Sequence, residues 1–203
     1  MLKKTFQVDT PPSKIAIEKG LTKGNITFSG IKYESKDDHK FHDVFAAFKN
    51  FKNAGQFFNQ RVNLPEGLSE GVVSRYIDGI FRFEKIIKNN YGISKFDGFN
   101  EISKKFIEVK ACSVFPDLTS WSPGPFFDLF YFVDFSSLDG KFKIFEINID
   151  SNEIKKIKVS KTETFGDQID KNRRPRFSVY EEFINPKKYC SGVPVIEKDL
   201  TLI

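Results

Sequence analysis

The chain has 203 residues, 39% hydrophobic and 29% charged. That balance suits one domain with a full hydrophobic core and excludes a disordered chain. No apolar stretch nears the ~18 residues of a membrane span, and Met1-Leu2-Lys3-Lys4-Thr5 opens no signal peptide. Cys112 and Cys190 make neither a disulfide framework nor a four-ligand zinc site. A reduced, cytoplasmic protein with no membrane partner is expected. Net charge is +5, and Lys155–Arg176, with eight basic and three acidic residues, carries an equal excess. Such a segment suits a polyanion, nucleic acid being the commonest.

Residues 1–38, broken by Pro11-Pro12 and several glycines, read as an irregular or short-stranded lead-in. From His39 to Asn53, Phe41, Val44/Phe45, Phe48 and Phe51 recur at helical spacing and predict an amphipathic helix. Asn63 to Ser69 reads as a loop ending in an N-cap serine, before a long helix over Glu70–Lys88 stopped by Asn89-Asn90-Tyr91-Gly92. The period then changes. In Lys104–Cys112 the residues Ile107, Val109 and Ala111 alternate with Phe106, Glu108 and Lys110, which predicts a strand. Phe126–Phe135 reads as a buried central strand, joined through Leu138-Asp139-Gly140 to another over Lys141–Ile149. Ser178 to Glu181 is a capping box opening a short helix, with Phe177 as its staple. The expected class is α/β, a single domain with a central mixed β-sheet flanked by helices.

Glu108 and Lys110, two apart on a strand, leave the same face about 6.5–7 Å apart. Asp97 falls where a short preceding strand pairs with theirs across Asn100–Ser103. Two carboxylates are what Mg²⁺ takes from a protein while it keeps waters and a substrate phosphate. The lysine then orients or deprotonates a water and stabilises transition-state charge. In most chains an E-x-K on a strand is a solvated charge pair. Here Phe106 shares its face and Ala111-Cys112 follow, which suits an enclosed cleft.

In this arrangement the sequence resembles the PD-(D/E)xK nuclease superfamily, specifically short type II restriction endonucleases. The resemblance runs from about Asn63 to Ile184 and rests on segments in order: Asn63–Glu70, Phe106–Ala111, Leu118–Asp128, Lys161–Gln168 and Arg173–Ser178. It implies a restriction-endonuclease-like fold and Mg²⁺-dependent, site-specific hydrolysis of double-stranded DNA. The nearest pattern is that of enzymes cutting GCNGC-like sites, with inverted attack leaving a 5′-phosphate. Asp97, Glu108 and the Val109 carbonyl become metal ligands, Lys110 the water-positioning group, and Glu70 a further acid beside them. Otherwise Glu70 is a first-turn partner of a helix dipole. One departure is that Phe96, not proline, precedes Asp97.

Competing motifs carry less. Pro116-Asp117 with Asp139-Gly-Lys141 places its lysine on a hairpin tip. Asp128 with Glu146-Ile-Asn148 lacks the lysine, and Glu146 reads more simply as an exposed strand residue paired with Lys143 or its neighbours. His39 and His42 lack the zinc motif and read as a solvated helix start.

Arg173, Arg174 and Arg176, with Lys161 and Gln168, suit DNA contact, since Arg forks read guanine and Gln reads adenine. Ser120 and Trp121 are further DNA candidates, Trp121 being alternatively a core residue, and Arg75 is a phosphate or subunit contact. A palindromic site cut on both strands implies a homodimer, and a restriction enzyme implies a DNA methyltransferase encoded nearby. The rival readings are a repair or junction nuclease with the same chemistry, and a non-catalytic DNA-binding protein.

Overall fold

A computed structural model describes residues 1–10, 24–60, 62–89, 96–122 and 126–202. The prolines at 11 and 12, the proposed helix stop at 90–92 and the loop residues 123–125 lie outside them. An eight-stranded mixed sheet runs in the order β1 (Leu2–Thr10), β2 (Gly24–Lys32), β3 (Ile80–Asn89), β4 (Gly98–Asn100), β5 (Lys105–Cys112), β7 (Leu129–Asp134), β8 (Lys141–Ile147), β10 (Ile196–Asp199). Among the described residues only β5 and β7 pair in parallel, in register from Ile107↔Leu129 to Cys112↔Asp134; the other neighbours are antiparallel. β6 (Thr119–Ser120) and β9 (Arg176–Phe177) form a separate two-stranded ribbon.

Alternation divides the sheet into two faces. Ile107, Val109, Tyr131, Val133 and Ile144 point to one, covered by helices α1 (Asp38–Phe57) and α2 (Glu66–Tyr76) through Phe41, Phe45, Leu68 and Val72. Cys112, Phe130, Phe132 and Phe145 point to the other, packed on Trp121, Phe165, Phe177 and Phe183. Towards the β1 edge a third cluster gathers Phe6, Phe28, Phe81, Phe96, Phe99 and Phe106. Its rings meet edge-on or tilted, as at 4.8 Å between Phe96 and Phe106, the arrangement favoured by the ring quadrupoles.

Three sequence expectations change. Of the two readings of the lead-in, strands are found where it is described, though not short ones: β1 and β2 have nine residues each and pair along their whole length. The Glu70–Lys88 helix does not exist as one element. α2 starts earlier, with Pro65 rather than Ser69 at its N-cap, and ends at Tyr76. Ser69 instead donates its hydroxyl back to the Glu66 carbonyl. Asp78-Gly79 then turns the chain into β3, with Gly79 at φ +74°, where an added Cβ would lie 2.9 Å from the Asn100 side-chain oxygen. Glycine is the residue that adopts that left-handed conformation at no steric cost. In α1, Phe51 is 64% exposed rather than core, while Lys52 is buried and donates to the Ser113 carbonyl at 2.6 Å.

The closing segment, Tyr180–Ile184, is one π-helical turn. Ser178 accepts from the Glu181 N–H at 3.1 Å, but Glu181 turns its carboxylate to Asn185, so the box is half formed. Phe177 packs on Phe183 at 5.6 Å, as the staple required.

Candidate active site

The centre is built on β5 where it meets β4. Asp97, just before β4, donates its N–H to the Ile107 carbonyl at 3.0 Å, and its carbonyl accepts from the Phe83 N–H at 2.8 Å. Its carboxylate accepts from the Val109 N–H at 2.8 Å. That amide lies between Glu108 and Lys110, so the backbone itself draws Asp97 to the E-x-K pair. Glu108 is buried and ion-paired with Lys110. The Lys110 ammonium also stands 5.3 Å from the centroid of the Trp121 ring, within cation–π range. Val109 turns its side chain into the helix-side core, so its part here is played by the main chain, through the N–H that Asp97 accepts.

The charges are crowded away from water. Burial raises the Asp97 carboxyl, against the pull of Lys110. Burial and the neighbouring Asp97 push Glu108 up to about 7. Lys110 is raised: burial disfavours its charge, but Glu108 and Asp97 outweigh it. It is therefore an ammonium at neutral pH, a donor rather than a base.

Glu70 reaches this centre from α2, in the second helical turn rather than the first. Arg82 of β3 pairs with it at 2.6 Å, yet burial and Asp97 push it up to about 7. Glu66, one turn earlier, adds negative field at Asp97 and Lys110. Sequence reading missed Arg82 and Glu66. Arg82 was hidden by the assumed long helix, whereas the alternation of a strand after Asp78-Gly79 would have brought it to notice.

A carboxyl raised in the folded state binds its proton more tightly there than in the unfolded chain. Stability from Glu70 is thus full below about 4.5 and is lost as pH rises through about 7. In EDTA-containing buffer, Glu70→Gln is expected to flatten the fall in stability between pH 5 and pH 8, by on the order of 1–3 kcal/mol. Thermal melts of both proteins at the two pH values measure this. Parallel slopes would contradict it.

The other named residues divide. Ser120 is exposed and is the register partner of Arg176 in the β6–β9 ribbon. Lys161, Arg173, Arg174 and Arg176 are exposed and Gln168 half-buried. The Trp121 backbone N–H donates to the Pro175 carbonyl at 3.0 Å, so the basic segment is fastened to the main chain of the tryptophan that carries Lys110. Trp121 itself is fully buried, stacked on Phe177 and Phe127, and offers no surface for a base. Arg75 has its partner within the chain. It makes a two-pronged pair with Asp38 at 2.6 and 2.9 Å and lies over the Tyr76 ring.

The competing motifs have structural duties. Asp117 is buried and accepts from the Val179 N–H at 2.7 Å and from Ser178. Asp128 accepts from the Phe106 N–H at 2.9 Å. Glu146 pairs not with Lys143 but with the Tyr131 hydroxyl at 2.7 Å, its register partner across β7–β8. Asp139 accepts from the Lys141 N–H within the turn. His42 lies 3.4 Å from Asp43 at the start of α1.

Among the described residues no three His, Cys, Asp or Glu side chains converge closely enough to hold a metal ion by themselves. The donor set is instead two hard carboxylates, Asp97 and Glu108. That fits a Mg²⁺ ion, which binds through one or two carboxylates together with waters and substrate phosphate.

The family model for the Bsp6I restriction endonuclease matches residues 33–186, a span holding every candidate named above. The type II restriction enzyme Bsp6I of Bacillus sp. (strain RFL6) is 33% identical over 153 residues, covering 73% of this chain and 83% of the relative. No solved structure matches the chain.

Proposed function

The chain belongs to the Bsp6I restriction endonuclease family, and from that premise we propose how this type II restriction enzyme cuts double-stranded DNA. The observation that carries the reading is the Asp97 carboxylate on the Val109 N–H. That bond gathers two buried acids and a charged lysine at one point on the sheet.

Asp97 and Glu108 would hold a Mg²⁺ ion, with the Val109 carbonyl as a third oxygen, and the ion would supply charge neutralisation at the scissile phosphate and Lewis acidity towards the attacking water. Lys110, held as an ammonium between Glu108 and the Trp121 ring, donates to the attacking water and to the phosphate oxygens, where negative charge grows. It works as a donor, because the acids around it keep it protonated. Glu70 is held by Arg82 at the margin of this centre and adds a further carboxyl beside Asp97. The water oxygen bonds to phosphorus as the P–O3′ bond breaks, the water's proton passing to solvent and the 3′ oxygen taking one up from solvent, so the products are a 5′-phosphate and a 3′-hydroxyl.

Arg174, Arg176, Lys161 and Ser120 face the backbone of the duplex, and Gln168 and Arg173 face its bases. The route from this surface to the chemistry is short: Arg176 pairs with Ser120, and Trp121 follows Ser120 directly under Lys110. One centre per chain and two strands to cut support a cytoplasmic homodimer on a palindromic, GCNGC-like site, with a cognate methyltransferase protecting the host's own sites.

The experiment is incubation of the purified protein with phage DNA, with Mg²⁺ or with EDTA. Discrete fragments in Mg²⁺ alone are expected, and their ends give the site. Intact DNA in both tubes, from folded protein, would overturn the reading.

A further inference from the structure

Glu163 ends a tightly self-bonded turn. Lys158 and Thr164 form a β-bridge, the Val159 and Ser160 N–H groups both donate to the Glu163 carbonyl, and the Glu163 N–H donates to the Ser160 hydroxyl at 3.0 Å. The next residue, Thr164, caps helix α3 (Phe165–Asp170) in a capping box with Asp167. Its backbone is thus fixed on both sides. Its side chain, only 18% exposed, collects Gln168 at 3.2 Å, Lys171 at 2.7 Å and Arg173. The Arg173 N–H also donates to the Gln168 carbonyl at 2.8 Å.

We infer that Glu163 is a positioning residue for sequence readout, holding Gln168 and Arg173 side by side as a preformed reading unit. This rests on the DNA role proposed above for that segment. Arg173 spends one Nη2 hydrogen on Glu163 and remains half exposed, so its second Nη2 hydrogen is left to form a fork with the neighbouring N–H on that edge and face a base. A guanidinium fork and a carboxamide are the two side chains whose paired donors and acceptors match guanine and adenine edges. Holding them in place beforehand spares the complex the entropy of ordering them. The contact is constant rather than switched: Lys171, Arg173 and Gln168 lower the Glu163 carboxyl to about 2, so it stays ionised across the range in which the enzyme works.

The carboxylate acts on the two kinds of binding with opposite signs. It favours readout by fixing the readers, and it opposes unspecific binding by placing a negative charge beside phosphates. Glu163→Gln removes both effects, whereas Glu163→Asp keeps the charge but shortens the reach to three partners.

The test uses the full-length enzyme, a duplex bearing the sequence mapped from wild-type fragment ends, and the same duplex with one base pair changed. Cleavage kcat/KM is measured on both, with binding to an unrelated duplex over a salt series. Discrimination is expected to fall about tenfold in both variants, within the range of a lost bidentate base contact. Glu163→Gln, but not Glu163→Asp, is expected to bind the unrelated duplex more tightly with a salt slope steeper by about one. Unchanged discrimination, or an equal loss on both duplexes, would overturn this inference and leave the nuclease reading standing. Failure of the wild-type enzyme to cut any DNA would overturn both.

Discussion

Lys110→Ala is expected to lower the cleavage rate by at least roughly 10²–10³-fold, the cost of deleting one donor aimed at developing charge. Binding to the same DNA in Ca²⁺ or EDTA is expected to change far less. The contrast follows from where the ammonium sits. It is bonded to Glu108 and stands over Trp121, at the base of the site rather than on the exposed arginine surface. The variant should also fold. Removing Lys110 strips Glu108 of its partner, but that carboxyl already sits at about 7 and moves further up, so it takes a proton rather than remaining as a buried charge. Lys110→Met keeps the long side chain packed on the ring and should be as inactive as the alanine variant. Cleavage of phage DNA, gel-shift binding and a thermal melt separate the three quantities. Residual cleavage within tenfold of wild type would remove Lys110 from the chemistry.

The acid–lysine centre was legible in the sequence because it is local. Glu108, Lys110 and Asp97 lie within fourteen positions, and strand alternation plus one tight turn suffices to bring them to one face. The central strand was legible for a similar reason: Leu129–Asp134 is buried on both sides, so its apolar run is unbroken. The failures share a physical cause as well. Val72, Val73, Tyr76 and Ile77 are helical in spacing, and Ile80, Phe83, Ile86 and Ile87 extend that spacing by accident. What ends the helix is the Asp78-Gly79 turn, and what makes β3 a strand is its pairing with β2, fifty residues away. No short-range pattern reports a pairing of that range. Since Arg82 lies on β3 and holds Glu70, losing the strand meant losing the pair. The partner of Arg75 was hidden for a similar reason: Asp38 lies 37 positions away, and only the fold brings it to the guanidinium.

Trp121→Ala is expected to destabilise the protein by about 3–5 kcal/mol, the usual cost of truncating a fully buried large aromatic. For a chain of this size that lowers Tm by on the order of 10 °C. The ring stacks on Phe177 at 5.8 Å with planes 16° apart, and meets Phe130 and Phe165 edge-on at 5.0 and 5.7 Å. Alanine empties that space and unfastens what depends on it: the β6–β9 ribbon on one side and the Lys110 ammonium on the other. Trp121→Phe should cost much less. It retains an aromatic face for Lys110, and it removes an indole N–H that is buried with no hydrogen-bond partner, which returns part of the loss. The two variants therefore separate a core role from a DNA-stacking one. A tryptophan that stacked on bases would leave Tm unchanged in Trp121→Ala and weaken DNA binding. A core tryptophan lowers Tm in proportion to the lost ring, and lowers cleavage in Trp121→Ala further than in Trp121→Phe even at temperatures where both remain folded. Melting curves and cleavage rates of the two variants at 15 °C decide between them. The second pattern would also show that the ring under Lys110 is the one that holds Phe177 of the ribbon in place.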